Sequence, residues 1–540
     1  MCEEKTGNVL IDAMSDELQR SMQHLSLPPF EKPFFMMYGI QDQSVYTISA
    51  TLGSLTHSTE VRNRFRSNSR VLVGSYEFND ESLEDDLFSP GTMLDIQPPL
   101  DDDYMGIRRS FWSITDNVYR NAARHYQKHQ ETLKASGKAL KDIPHRSFAK
   151  VDPTVLILNN TLYNWDKSYW EKYVKDLSAL FLGHSSIENS MVNLTFIQGE
   201  RYAVNTEGTK FKIPFSTAVL NVFAQCRNAR GEMAFDRLIE HYRTPDPLKD
   251  LPAMSGSVNE MITKLESQFS IPLFNEDYNG PVLIGGPAVA DLLSGAILRG
   301  QENIMANDQI QKLTGYQFNR AAQFDNKIGK PVVHESLSVK AKPKLREFQG
   351  VDLLGSFPVD NEGVVPADEE VVISHGVLNA LLNNRTLTSP SQRANGFSDG
   401  PGVIEVTSTM RDTEKQLKDK LLEKAKASGL DYAIIIRDRS LMGTGFMMVN
   451  KIYVDDGREE PIREVYIEAL EMRNLKKVGG VSEKYSAYNV SLNPMGGGDP
   501  TAVVSLIVPD QVLIDELDIK PMSLPLFHQE EYVPNPLVVE

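Results

Sequence analysis

Ten histidines and two cysteines are the residues from which this chain could build a zinc centre. Such a centre needs two or three imidazole, thiolate or carboxylate groups converging on one ion, usually two His about a turn apart with a Glu beside the first to activate water. His334 is the only His followed by Glu, and the positions four and five further on hold Ser338 and Val339 rather than a second imidazole. The pair His334-Glu335 therefore reads first as part of a packed strand. His125 and His129 stand four apart in a helical pattern, a spacing that lets two rings share a face. Their flanks Arg124, Tyr126, Gln127, Lys128 and Gln130 make that face read as solvated. Gly396-Phe397-Ser398-Asp399-Gly400 matches the G-x-S-x-G of a nucleophile elbow, whose chemistry needs a strand before the Ser and a helix after it. The polar stretch Thr388 to Asn395 offers no such strand. Gly443-Thr444-Gly445 and Gly496-Gly497-Gly498 lack the Lys-Ser/Thr of a phosphate loop and read as turns.

The elements that must hold these residues follow from periodicity. Leu10, Met14, Leu18 and Met22 recur at helical spacing over residues 8–24, predicting an amphipathic helix that ends before Pro28-Pro29 and caps a sheet. Val45 to Leu52 and Val71 to Phe78, with polar Glu60 to Arg70 between them, read as an antiparallel meander. Asp80 to Asp103 is acidic and aperiodic, hence a surface loop. Ile107, Phe111, Ile114, Val118 and Ala122 mark a long helix reaching about Lys138, and residues 165–182 form another. Met191 to Ile197, Glu200 to Asn205 and Thr209 to Ile213 read as short strands, the last two joined by a hairpin at Asn205-Thr206-Glu207-Gly208. Cys226 falls in the apolar strand Ala218 to Ala229, where a buried, inert thiol is expected. The Pro- and Asp-rich segment Thr244 to Pro252 and a helix over Val258 to Phe269 lead to a boundary placed near residue 275. Beyond it strands are expected at Pro281 to Ile284, Pro331 to Val339, Glu370 to Ile373, Val403 to Ser408, Tyr432 to Arg437, Phe446 to Tyr453 and Ala502 to Val508. Helices are expected at Ala288 to Leu298, Val377 to Leu382 and Arg411 to Ser428. The fold class is α+β: an N-terminal α/β domain over residues 1–275 with an antiparallel sheet and long helices, then a mostly β domain over 276–540 forming a curved sheet or barrel. No repeat of 20–50 residues is visible, which excludes solenoids and propellers.

Composition narrows the functional classes. The 540 residues exceed the roughly 150 of one domain several-fold. Hydrophobic residues at 41% and charged residues at 24% are ordinary globular usage and exclude a disordered, collagen-like or coiled-coil chain. A balance of 56 basic against 73 acidic residues gives a net charge of −17, a field that repels phosphate backbones, so nucleic acid is not an expected partner. No apolar run reaches the roughly 18–20 residues of a membrane span, and the start Met1-Cys2-Glu3-Glu4-Lys5 has no apolar signal-peptide core. A cytoplasmic location is expected for the chain as given, and export if a leader was removed.

Segments in the second half carry a resemblance. Phe357-Pro358-Val359-Asp360-Asn361-Glu362-Gly363-Val364-Val365-Pro366, then Val371-Val372-Ile373-Ser374-His375-Gly376-Val377-Leu378 and Asn395-Gly396, resemble the "D..G.p", "LI.NGvL" and "T.NG.r" signature of the TldD/PmbA family. The turn Val204-Asn205-Thr206-Glu207-Gly208-Thr209 looks like that family's "vnS.G". Gly429-Leu430-Asp431-Tyr432, Ser505 to Pro509 and Ile514 to Leu517 are similar to later segments, so the likeness spans roughly residues 40–520.

The resemblance implies chains that pair as homodimers or heterodimers around a cavity where peptides are cut. TldD-type chains carry HExxxH, whose two His and a later Cys hold zinc. Aligned on Leu292-Leu293, the two His places fall on Ser294 and Arg299 and the Glu place on Gly295, and no Cys follows Cys226. Ser and Gly replace neither ligand nor base, and an Arg repels a cation. The chain therefore resembles the PmbA (TldE) side, which lacks the motif: no cofactor is expected of its own, and zinc only in a metal-bearing TldD-type partner. The expected ligand is a peptide or unfolded polypeptide, with Gly285, Gly286, Asp360 and Gly363 as candidate lining positions. The alternatives are a rebuilt catalytic site using His334, Glu335 or His375, which stands where the family has Asn, and a peptide-binding protein with no peptidase partner.

Overall fold

The computed structural model describes residues 5–82, 97–143, 146–159, 161–228, 232–299, 303–305, 324–387, 389–437, 447–467, 470–491 and 503–522. Helix α1 (Val9–His24) starts where the Asn8 side chain accepts from Ile11 N at 3.1 Å, and it buries the predicted Leu10, Met14 and Leu18. Strands β1 (Pro33–Thr51) and β2 (Ser54–Val73) form one long hairpin rather than the expected meander. The polar residues that masked it are paired across the strands: Arg62 and Arg64 both reach Asp42, at 2.9 and 2.5 Å. Such cross-strand ion pairs let a polar stretch stay extended. The acidic segment expected as a loop lies partly outside the described residues, and its end, Asp103, caps helix α2 (Tyr104–Ala135).

Strand β3 (Val155–Ile157), helix α3 (Lys167–Ala179), strands β4 (Ile187–Asn205), β5 (Lys210–Arg227) and β6 (Met233–Tyr242), and helix α4 (Leu251–Ser267) follow. Segments expected as separate short strands are continuous in β4 and β5, around the predicted hairpin at 205–208. Helix α4 starts well before the predicted Val258 because Asp250 caps it, accepting from Ala253 N at 3.1 Å, with Pro252 in its first turn. Cys226 is buried in β5, where burial pushes its thiol up to about 12. The sheet runs β2-β1-β4-β5-β3, with β6 also paired to β5. Even-numbered positions of β1 and β4 point to one face: Met36, Tyr38, Ile40, Tyr202 and Val204 pack with α1 and α2, and Ile48, Ala50, Val192 and Leu194 pack with α3 and α4. All four helices thus cover one face. The opposite face, at the end holding Phe35, Met37, Ala203, Phe211 and Ile213, is closed by Phe148 and by Val359 from far along the chain.

The second part contains strands β7 (Tyr278–Gly285), β8 (Leu337–Ala341), β9 (Glu347–Phe348), β10 (Val351–Asp352), β11 (Glu370–Ser374), β12 (Val377–Leu378), β13 (Val403–Ser408), β14 (Tyr432–Ile436), β15 (Met447–Tyr453), β16 (Glu459–Ile467), β17 (Val478–Val481), β18 (Tyr485–Ser491), β19 (Val503–Pro509) and β20 (Gln511–Pro521). Two six-stranded sheets form, β12-β11-β8-β13-β19-β18 and β16-β15-β14-β7-β20-β17. Helix α5 (Pro287–Ser294) lies between them, sharing one core with β7, β13, β14 and β19. Helix α6 (Glu414–Ala427) covers the outer face of the second sheet through Leu417 and Leu421 against Leu283, Ala433 and Leu513. The helix expected at Val377 to Leu382 is instead a two-residue strand followed by irregular chain that bridges to Met305 at Leu382. Val377 pairs with Ser374 because the two residues between them form a hairpin.

Trp170 of α3 is almost wholly enclosed between β1, β4 and β5. Trp170→Ala is expected to cost about 3–5 kcal/mol, read as a lower midpoint in chemical denaturation.

Candidate functional site

Helix α5 ends in a π-helical turn over Gly295–Arg299. On an α-helix, residues five apart sit about 140° apart around the axis, whereas a π turn brings them onto one side. Arg299 accordingly folds back on Ser294, its Nη2 donating to Ser294 Oγ at 2.9 Å and to Asp291 O at 3.2 Å. Ser294 Oγ donates in turn to Asp291 O at 2.8 Å. A Cβ built on Gly295 would lie 3.9 Å from Arg299 Nη2. The turn thus sets the two positions aligned with the His ligands side by side, and fills the space between them with a guanidinium. A metal ion there would face the positive charge of the guanidinium rather than an imidazole or thiolate. Among the described residues no group of three His, Cys, Asp or Glu side chains could hold a metal ion.

The histidines are placed differently from one another. His129 is buried on α2, not on a solvated face, because Asn79 O lies 3.2 Å from its Nδ1 and fixes the ring inward. His125 lies with its ring centre 6.5 Å from that of His129. His334 is half-buried, its Nδ1 accepting from Ser336 N at 3.1 Å and lying 2.9 Å from Ser336 Oγ. Glu335 is exposed. His375 and Gly376 are the two central residues of the β11–β12 hairpin, both at positive φ (47° and 79°), as a type I′ turn requires. Asn-Gly is the favoured pair for that turn, so the family's Asn at this place has a conformational reason, and His, also tolerant of the left-handed region, can stand for it. A Cβ at Gly376 would sit 2.8 Å from Val333 O, so the turn lies tight on the His334 segment at backbone level. His375 itself is exposed.

Asp360 and Gly363 lie at a seam between the first sheet and the second part. Gly363, at φ 82°, rests on Thr209 so closely that a Cβ would run into its methyl. Asp360 is wholly buried; its Oδ1 accepts from Glu362 N at 3.0 Å and Val364 N at 2.8 Å, and its Oδ2 from Ser398 N at 3.1 Å. Ser398 therefore belongs to a loop buttressing Asp360 and not to a strand–turn–helix elbow. Around this turn the seam is ionic. Arg70 binds Glu81 and Glu362, and donates to Thr386 Oγ1 at 2.6 Å. Burial alone would lower the Arg70 guanidinium, but Glu81 and Glu362 together push it up. Arg201 reaches Asp399 at 2.6 Å. The wholly buried Arg385 meets Glu207 at 2.7 Å, donates to Ala149 O at 2.8 and 2.9 Å, and stacks over Phe148 and Phe35 with its guanidinium 4.2 and 4.9 Å from their ring centres. Three separate signature segments, 204–209, 357–366 and the loop carrying Asn395, meet here; Asn395 Oδ1 accepts from Asn383 N at 2.7 Å. Sequence reading did not single out Arg70, Glu207, Glu362 or Arg385, since nothing in spacing links residues so far apart. Gly285 is buried at the end of β7 beside Gln511, and Gly286 precedes α5, its N donating to Asp510 O at 2.9 Å.

The two-part architecture recurs in solved structures. One, from Thermotoga maritima and described as a modulator of a DNA gyrase, matches at TM-score 0.55 with 15% identity over 90% of this chain and 96% of the other. TldE from Thermococcus kodakarensis matches at 0.53 with 13% identity over 94% and 100%. A Bacteroides thetaiotaomicron protein described as a modulator of DNA gyrase matches at 0.55 with 10% identity over 94% and 98%. At such identities the likeness establishes the fold. A comparison with curated proteins finds no match. Residues 278–520 match the family model of the PmbA/TldA metallopeptidase C-terminal domain, so the second part of the chain is a domain of the TldD/PmbA family. Among the described residues no helix is long and apolar enough to cross a membrane.

Arg385→Met leaves Glu207 buried without its cation and is expected to cost about 3–5 kcal/mol. Adding Glu207→Gln should recover part of that loss in a double-mutant cycle of denaturation midpoints. His375→Asn, by contrast, should move stability by no more than about 0.5 kcal/mol, since Asn suits the same turn.

Proposed function

We propose that this chain is a metal-free member of its family, on the PmbA (TldE) side, which holds an extended peptide or unfolded polypeptide and completes a zinc peptidase by pairing with a TldD-type chain. The observation that carries this reading is the Ser294–Arg299 hydrogen bond of 2.9 Å, which occupies the place of two imidazole ligands with a hydroxyl and a cation. A guanidinium there disfavours a metal but can donate to carbonyl or carboxylate oxygens of a bound chain. The main chain at Gly286, which leads into α5 and is partly exposed, is the surface assigned to peptide; Gly285, Asp360 and Gly363 are buried. The edge of a β-sheet can add an extended peptide as one more strand. A rebuilt site is the second reading, favoured by the tight packing of the His375-Gly376 turn on the His334 segment. It would have to free His334 Nδ1 from Ser336.

The test is metal content and cleavage of a casein-type substrate and a peptide library by the purified chain, with added zinc and with a chelator. The expected result is no stoichiometric zinc, no cleavage, and measurable binding of a labelled peptide from the library. Chelator-sensitive cleavage with bound zinc would overturn the reading and direct His334→Ala and His375→Ala variants to the rebuilt site. Binding of peptide with no metal-bearing chain recovered alongside would favour a stand-alone binder.

A further inference from the structure

One ionisable group of the seam stands out among the described residues, Asp360. Among the described residues no ammonium or guanidinium touches Asp360, whose two oxygens are held only by three backbone N–H groups. It is faced by Glu362 from its own turn and by Asp399 from the 397–402 loop, and its side chain is 0% exposed. The nearby guanidiniums are engaged elsewhere: Arg70 with Glu81 and Glu362, Arg385 with Glu207 and Ala149 O, Arg201 with Asp399 and Asn361. Among the described residues, the carboxyl groups of Glu81, Glu207, Glu362 and Asp399 each meet one of three guanidiniums, and buried Asp360 meets none. Like charges packed without water repel strongly, and the group that lacks a partner is the one that gives up its charge.

We propose that Asp360 is a proton-held latch: protonated, it keeps the 357–366 loop shut against the 205–209 turn of the first sheet, and its ionisation loosens that seam. The step is a plain acid dissociation, in which the proton leaves the carboxyl for bulk water as the seam opens and the carboxylate becomes hydrated. The latch concerns how the two parts of the chain are joined and stands whether or not the chain binds peptides. Burial and the neighbouring Glu362 and Asp399 push the Asp360 carboxyl up to about 8, against 3.8 for an ordinary Asp, and outweigh the Val364 and Ser398 N–H groups, which favour the carboxylate. Between those values the shut state holds a proton that the open state has lost, so rising pH favours opening. Above about 8 both states are ionised and the dependence levels off.

Hydrogen exchange of the whole chain, followed by mass spectrometry and corrected for intrinsic rates, tests this. Protection of peptides spanning 205–209 and 360–366 should fall with pH by up to about tenfold per unit, while peptides from α6 keep a flat profile. Asp360→Asn keeps an oxygen for the Glu362 and Val364 N–H groups and carries no charge, so its seam protection should not vary with pH in that window. A flat wild-type profile, or an Asp360→Asn profile with the wild-type slope, would overturn the latch. Should Asp360→Asn fail to fold, Asp399→Asn decides: it removes one facing carboxylate, so the dependence should level off at lower pH, and an unchanged window would overturn the proposal.

Discussion

A guanidinium with no exposed surface is the constraint on which the rest of this structure depends. Arg385 carries five N–H donors and a charge that cannot be neutralised, so removing it from water is tolerable only if carboxylate, carbonyl and ring faces all converge on it. Glu207 comes from the turn between β4 and β5, Ala149 O and Phe148 from the segment after α2, and Phe35 from the start of β1. Each must be in place for the others to be worth burying. Residues 147–149 and 385–387 are also zipped by main-chain bonds, Ala149 N to Arg385 O at 2.8 Å and Leu387 N to Ser147 O at 2.9 Å. The electrostatic demand of one side chain thereby fixes how the first sheet meets the two later ones.

This arrangement changes the meaning of the short sequence signatures. Asp360-Asn361-Glu362-Gly363 and Asn205-Thr206-Glu207-Gly208-Thr209 are turn motifs in which Asp360 and Asn205 fold their side chains onto backbone N–H groups two to four residues on. Such local bonds make turns whose glycines can approach another backbone. Gly363 lies on Thr209, so the two turns are halves of one contact. The residue type at each position is explained by that contact before any chemistry is invoked.

How much was legible follows from the range of the interactions concerned. Helices α1, α2 and α6 are visible in the chain because their apolar residues recur every three or four positions and their caps are local: Asn8, Asp103, and Thr413 paired with Gln416. The length of β1 and β2 was not, since Gln41 to Ser44 and Glu60 to Arg70 owe their extended state to partners on neighbouring strands. Val377 to Leu382 reads as a helix because Val377, Leu378, Leu381 and Leu382 have helical spacing, while His375 and Gly376 just before it form a turn. The positive φ of two successive residues overrules that spacing. That Ser294, Gly295 and Arg299 stand where the resemblance puts the two His and the Glu of HExxxH could be read from residue types alone, whereas the π turn that joins Ser294 to Arg299 could not. The ionic seam was hidden altogether, its members lying as much as 329 positions apart, as Arg70 and Asp399 do.

That separation has a consequence for how the chain emerges during synthesis. The face of the first sheet bearing Phe35, Met37, Phe211 and Ile213 is complete once β5 has formed, but Val359 and Arg385, which close it, come more than a hundred residues later. At about 5–20 residues per second that face stays uncovered for several seconds or more, with Glu207 still unpaired beside it. The charged rim around an apolar patch keeps the waiting intermediate hydrated and discourages it from sticking to its neighbours on the ribosome. Of the seam's charged side chains, Arg70, Glu81, Arg201 and Glu207 are already made by then, so they border that face before their later partners arrive.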